Sequence, residues 1–195
     1  REWVIVTKVG EAFQDGVSHF DFSAAATRIS VERSLRRLGV ETLDAVLIHS
    51  DGDDLAILER ETVLPTLFDL KQAGLIRAVG MSTKTVDGGL RAVECCDLVM
   101  ITYNWYQREK LPVIRAAQAT NKGVLIKKGL LSGHLDRIAE PDPIVASLSS
   151  IYAEPGISSV VVGTLNPTHL RANAAAVERA LAEQAKPARL TVGSA

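Results

Sequence analysis

The run Asp44-Ala45-Val46-Leu47-Ile48-His49-Ser50 constrains this chain more than any other stretch. A continuous aliphatic and β-branched segment suits a strand covered on both faces, as in a parallel sheet. This one closes on an ionisable side chain. Val4-Ile5-Val6-Thr7-Lys8 has the same form and closes on a lysine. The unit then repeats down the chain: apolar strand, polar tip, amphipathic helix.

The spacing predicts strands at 1–9, 43–50, 75–81, 97–103, 123–128 and 157–162. Between them it predicts a loop over 11–26 carrying Phe20 and Phe22, then a helix over 31–38 capped by Ser30 and closed by Gly39. One helix is expected over 58–73, closed by Gly74. Further helices are expected over 86–95, 111–120, 143–152 and 167 to about 184. Asp51, Asp53 and Asp54 read as a solvated acidic turn. Six β–α units in strict alternation imply a parallel sheet with helices outside.

Two architectures fit such alternation. A doubly wound sheet would announce a Gly-x-Gly-x-x-Gly turn after its first strand, and none is present. A (β/α)8 TIM barrel places chemistry at the C-terminal end of its strands. Here those ends carry Lys8, His49, Ser82, Asn104, Lys128 and Gly163-Thr164. Polar tips on nearly every strand favour the barrel. A complete barrel has eight units in about 250 residues, and this chain has 195. About six of the eight units are therefore expected here, in one domain over 1–185 with a C-terminal tail at 186–195. The first two units are expected upstream of Arg1, where the chain opens without a methionine and is already in a strand pattern.

Composition narrows the partners. A formal net charge of −1 and a pI near 6.5 give no electrostatic case for nucleic acid or an anionic membrane. No apolar run approaches the roughly 18–20 residues that span a bilayer, and no signal-like segment opens the chain. The cytoplasm is the expected location, with the oligomeric state left open. Cys95 and Cys96 are adjacent and read as two packed thiols at a helix end, because a disulfide between neighbours is strained.

Lys8 and His49 are the strongest chemical pair, since nearby strands of one barrel bring both side chains to the same mouth. A lysine there shifts a neighbour's pKa, and a histidine bonds a carbonyl oxygen or transfers a proton. Gly163-Thr164-Leu165-Asn166-Pro167 leads into the last helix. Asn166 reads as its N-cap with Pro167 at N1, and the free N–H groups there make a candidate phosphate site. No metal is expected. The aspartates lack an EF-hand spacing, and His19, His134 and His169 match no ligand motif.

At this point the residues resemble the aldo-keto reductases. Val6-Thr7-Lys8-Val9-Gly10 is similar to that family's lysine strand. Ser34-Leu35-Arg36-Arg37-Leu38 followed by Leu43-Asp44 and Leu47-Ile48-His49 resembles its helix and histidine strand. Gly80-Met81-Ser82, Tyr103-Asn104 with Arg108, and Val162-Gly163 through Leu170 and Asn173 continue the match in order. The resemblance implies an oxidoreductase that uses NADPH, with NADH possible, to reduce a small aldehyde or ketone. In it the cofactor's hydride attacks the carbonyl carbon and a tyrosine protonates the oxygen. A lysine paired to an aspartate lowers that tyrosine's pKa, and a histidine orients the carbonyl.

Carried over, Lys8 is the lysine and His49 the histidine. Ser82 and Thr83 touch the nicotinamide amide, and Gly163, Thr164, His169 and Asn173 hold the pyrophosphate and adenosine end. Lys127 stands where an aromatic would stack on nicotinamide, with Lys128 beside it, and the two lysines are candidates to pair with cofactor phosphates. Met100 replaces an expected glutamine and Thr83 an asparagine. The tyrosine and aspartate belong to upstream units, so these 195 residues alone are expected to be inactive. A second reading is a catalytically impaired nicotinamide-binding regulatory or scaffold protein of the same fold. A third is a Schiff-base aldolase using Lys8, Lys127 or Lys128.

Overall fold

A computed structural model of the chain describes residues 3–184. The expected tail at 186–195 and the first two residues of the expected opening strand lie outside the described residues. Six parallel strands form one curled sheet: β1 (Val6–Val9), β4 (Leu43–His49), β5 (Ile76–Ser82), β6 (Leu98–Thr102), β7 (Gly123–Lys127) and β8 (Ser159–Val160), paired in that order. Strands β2 (Glu11–Gln14) and β3 (Val17–Phe20) form a separate antiparallel hairpin. Helices α1 (Ala24–Leu38), α2 (Asp54–Glu59), α3 (Val63–Gln72), α4 (Val86–Cys95), α5 (Leu111–Ala119), α6 (Pro143–Tyr152) and α7 (Pro167–Gln184) cover the outside. This is the parallel β–α order of a (β/α)8 barrel, with six of its units present. Among the described residues, no helix is long and apolar enough to cross a membrane.

The departures from expectation have local causes. The loop over 11–26 is a hairpin because Asp15 and Gly16 both take positive φ, at 51° and 82°, the turn that matches strand twist. Helix α1 starts seven residues earlier than residue 31. Ser23 accepts from the Ala26 N–H at 3.2 Å, and the three alanines that follow Ser23 propagate the helix well. The helix expected over 58–73 is two. Pro65 lacks an N–H and clashes with the carbonyl four residues back, so it is tolerated only in a first turn, and α3 begins at Val63. Strand β1 is shorter than 1–9 because the Asp44 carboxylate takes the Ile5 N–H at 2.8 Å, and Trp3 and Val4 stay exposed.

The register sorts every strand into two faces. Outward, Val46, Ile48, Val79, Met81, Val99, Ile101, Val124 and Ile126 pack on the helices as one buried core. Inward, one row runs Lys8–Leu47–Gly80–Leu98–Gly123, and the next runs His49–Ser82–Met100–Leu125–Ser159. Thr102 and Lys127 form the start of a third row. Gly80 has no alternative in this lumen, because a Cβ there would lie 2.4 Å from the Leu98 carbonyl oxygen.

Candidate active site

The inner rows bring Lys8, His49, Ser82 and Lys127 to one face at the C-terminal ends of their strands. Lys8 is exposed on the edge strand. His49 is half-buried, and its Nδ1 contacts the Glu11 carboxylate on the hairpin. The Phe20 ring stands edge-on to the imidazole, 6.5 Å between centroids. Burial pulls the His49 pKa below its ordinary value of 6.5. Glu11 opposes that pull, while Lys8, Lys127 and Lys84 add to it. Burial thus disfavours the charged form of His49, and Glu11 favours it.

Of the two lysines that end β7, Lys127 points into the lumen. Its Nζ donates to Ser82 Oγ at 2.8 Å and to the Thr83 carbonyl at 3.2 Å. Burial first, and then the charges of Lys128, Lys8 and Lys110, lower its pKa to about 8. Lys128 leaves the strand at φ 58° and is exposed. Asn104 fixes that turn: its Nδ2 donates to the Lys128 carbonyl at 3.1 Å, while its Oδ1 accepts from the Tyr106 and Gln107 N–H groups. Thr83 is fully buried, but its hydroxyl faces α4 and has no partner among the described residues. Only its carbonyl reaches the lumen side.

The acidic turn is not wholly solvated. Asp53 caps α2 through the Ala56 N–H, and Asp51 stays exposed, but Asp54 is 1% exposed. Its carboxylate accepts from the Lys84 N–H at 3.0 Å, the Thr85 N–H at 2.7 Å and the Thr85 hydroxyl at 2.7 Å. Three charge-assisted bonds offset its burial. They also fix the loop after β5, whose Ser82 and Thr83 hold Lys127. That loop holds Lys110 as well. This lysine is 5% exposed and donates to the Lys84 carbonyl at 2.7 Å. Gly88 on α4 makes room for the arrangement, since a Cβ there would fall 2.1 Å from Asp54 Cβ.

Beside the lumen, between the end of β7 and α7, lies a groove of about 550 Å³ lined by Lys128, Gly129, Gly163, Thr164, His169 and Asn173 among others. Asn173 is 8% exposed, and His169 is at the surface. Open space flanks Gly163. Asn166 caps α7, its Oδ1 accepting from the Thr168 N–H at 2.9 Å, and the Thr164 hydroxyl accepts from the Asn166 N–H at 3.1 Å. The candidate residues thus fall into two groups, a lumen group of Lys8, His49, Ser82 and Lys127 and a groove group of Lys128, Gly163, Thr164, His169 and Asn173. The end of β7 joins them, with Lys127 closing the strand into the lumen and Lys128, next in the chain, lining the groove.

Sequence reasoning missed Glu11, Asp54 and Lys110. The Asp15-Gly16 turn was the signal for the hairpin that carries Glu11. Nothing local marks Asp54, whose partners are about thirty residues away. The chain's three tyrosines are engaged away from Lys8 and His49. Tyr103 is fully buried and donates to Glu154 at 3.0 Å, Tyr106 donates to the Arg137 carbonyl, and Tyr152 lies half-buried where α6 and α7 pack.

A solved candidate aldo-keto reductase from Pseudomonas aeruginosa is 52% identical to this chain, with a TM-score of 0.85 over 92% of this chain and 68% of that one. An aldo-keto reductase from Bacillus halodurans in its holo form shares the fold at 22% identity, with a TM-score of 0.76 over 94% of this chain and 73% of that one. The pyridoxine 4-dehydrogenase of Escherichia coli is 26% identical over 196 residues, covering 92% of this chain and 68% of its own length. The aldo/keto reductase family model matches residues 1–145, the span that holds Lys8, His49, Ser82 and Lys127, and the chain belongs to that family.

Proposed function

We propose that this chain carries the lysine–histidine wall and the cofactor groove of a nicotinamide-dependent reductase of aldehydes or ketones. One observation carries the reading: Lys8, His49 and Ser82 share the lumen face at neighbouring strand ends, next to the groove under α7. The residues present suit a dinucleotide. The groove is large enough for an extended ligand, Gly163 leaves its backbone open, and the α7 N-terminus presents N–H groups suited to a phosphate.

When bound, NADPH or NADH supplies the hydride. In its protonated form His49 donates from Nε2 to the carbonyl oxygen and fixes its direction, while Nδ1–H stays on Glu11. The Lys8 ammonium stabilises negative charge that develops on that oxygen. Ser82 Oγ would hold the carboxamide of a bound nicotinamide in place of its bond to Lys127. Gly163 and Thr164 would hold the pyrophosphate with Lys128 pairing a phosphate, and His169 and Asn173 would hold the adenosine end. Thr83 contributes through its backbone, since its hydroxyl faces α4. No tyrosine of this chain is assigned as proton donor. The reading carries with it a small carbonyl substrate, no nucleic-acid or membrane partner, and a cytoplasmic setting.

The hold of Lys127 on Ser82 favours a second reading, a catalytically impaired nicotinamide-binding regulatory or scaffold protein, because that bond engages the hydroxyl expected to touch the carboxamide. Fluorescence titration with NADPH and turnover of model aldehydes, both on the protein at its full natural length, separate the two. For the reductase, Lys8→Met and His49→Ala each lower kcat by about 10²–10⁴ while the cofactor still binds. Tight binding by the wild-type protein with no turnover of any aldehyde supports the regulatory reading instead.

A further inference from the structure

The mouth of the lumen holds more cations than its carboxylates neutralise. Lys127 donates only to a hydroxyl and a carbonyl. Lys110 donates to the Lys84 carbonyl at 2.7 Å and Lys84 Nζ to the Asp51 carbonyl at 2.6 Å. None of these bonds removes charge. Lys8, Lys110 and Lys128 all act on Lys127 with the same sign, and Lys8, Lys84 and Lys127 do so on His49. Among the described residues two carboxylates face this set, and both are in use. Asp54 takes the Lys84 and Thr85 donors, and Glu11 takes His49 and the Ser18 hydroxyl. Asp51 and Asp53 are exposed and bond their own turn. Lys127 is half-buried and Lys110 buried, neither with a carboxylate partner among the described residues, an arrangement that is costly, and the low basicity of Lys127 is one sign of that cost.

We propose that the lumen around Lys127 is an anion subsite, and that the carbonyl compound taken at this mouth bears a carboxylate or phosphate away from its reacting carbon. The proposal rests on the carbonyl-reductase reading. An anion seated there takes the Lys127 ammonium from Ser82 and frees that hydroxyl. It also offsets the field of Lys8 and Lys110 that would otherwise repel any cationic group. A cofactor phosphate has the same chemistry and a route through the adjoining groove, so the test separates the two sources.

The protein at its full natural length is purified and assayed with NADPH against 4-oxobutanoate and butanal, which share a chain length and differ in charge. The expected result is a kcat/KM about tenfold or more higher for 4-oxobutanoate. In Lys127→Met the ratio of the two falls towards one, and in Lys127→Arg it survives. Each variant serves as its own control because only the ratio is read. Equal efficiency for both aldehydes in the wild-type protein overturns the proposal. So does a Lys127→Met protein that loses NADPH affinity by fluorescence while keeping the aldehyde ratio, because the charge then serves the cofactor's phosphate. Calorimetric titration with succinate, without cofactor, separates this proposal from the catalytic reading. If neither aldehyde turns over but succinate binds the wild-type and Lys127→Arg proteins and not Lys127→Met, the subsite stands and the reductase reading falls. Absence of succinate binding to the wild-type protein overturns the subsite.

Discussion

The Glu11 carboxylate closes onto His49 Nδ1, so a hairpin residue and a strand-end residue act as one unit at the mouth of the barrel. The pairing sets the tautomer. With Nδ1–H donated to Glu11, a neutral His49 presents Nε2 as an acceptor and donates from it only when protonated. Burial lowers the His49 pKa and Glu11 raises it, with burial the larger effect.

Removing the Glu11 charge therefore lowers the His49 pKa further. NMR titration of the His49 imidazole in Glu11→Gln is expected to show its midpoint displaced to lower pH than in the wild-type protein. The sign for stability follows from proton binding. A histidine whose folded pKa lies below 6.5 leaves stability intact above pH 6.5, and stability falls as pH drops towards the folded value, because the unfolded chain binds the proton first. Denaturant titrations from pH 7 to 5 are expected to show a steeper loss in Glu11→Gln. An unchanged His49 midpoint would exclude the coupling.

Asp54→Ala leaves the Lys84 and Thr85 N–H groups without their acceptor inside the fold. The expected cost is about 3 kcal/mol, read as a lower denaturant midpoint at constant slope. Gly88→Ala drives a methyl into the same carboxylate and is expected to lose about 2 kcal/mol or more. If each costs less than about 0.5 kcal/mol, Asp54 does not fix the loop after β5.

Lys127 is destabilising in its charged form. Its folded pKa of about 8 lies below the ordinary lysine value. Between the two the unfolded chain holds the proton and the folded chain does not, so stability rises as pH increases through that window. Lys127→Met removes the penalty. The variant is expected to be more stable than wild type at pH 7 by roughly 1–2 kcal/mol, with the gap closing towards pH 10. Differential thermal melts at pH 7 and pH 10 check both halves of this expectation.

The adjacent cysteines differ in reactivity. The Cys96 thiol bonds to Cys95, and with Arg91 nearby it brings the Cys95 thiol down to about 7, while the same bond and burial push Cys96 up. Cys95 is half-buried and Cys96 buried. Iodoacetamide at pH 7.5 is expected to alkylate Cys95 at least tenfold faster than Cys96, as mapped by peptide mass spectrometry. Cys96→Ala should slow the Cys95 reaction. Equal labelling of both thiols would contradict the assignment.

Much of the fold was legible in order along the chain. Apolar runs located the strands, Gly39 closed α1 as read, and Pro143 and Pro167 opened their helices. These are local signals, set within a few residues by side-chain periodicity and backbone freedom. The placement of Lys8 and His49 at strand ends was legible for the same reason, since a strand's length fixes where its last side chain stands. Where one local signal outweighed another, the reading slipped. Asp15-Gly16 made a hairpin of a supposed loop, Ser23 started α1 early, and Pro65 split one helix in two.

Tertiary structure alone decided the rest. Period-two alternation says that Lys127 and Lys128 face opposite ways, but only the register with β6 says which faces the lumen. Asp54 reads as one more solvated acid until the chain brings Lys84 and Thr85 back against it. Glu11 meets His49 only because the hairpin folds over the edge of the sheet. The sequence by itself determined the strands, the helices and the chemistry available at their ends. Which charges meet, and so which are neutral, buried or uncompensated, depends on contacts between residues dozens of positions apart. Those contacts are set by packing the sheet against its helices, which no local pattern encodes.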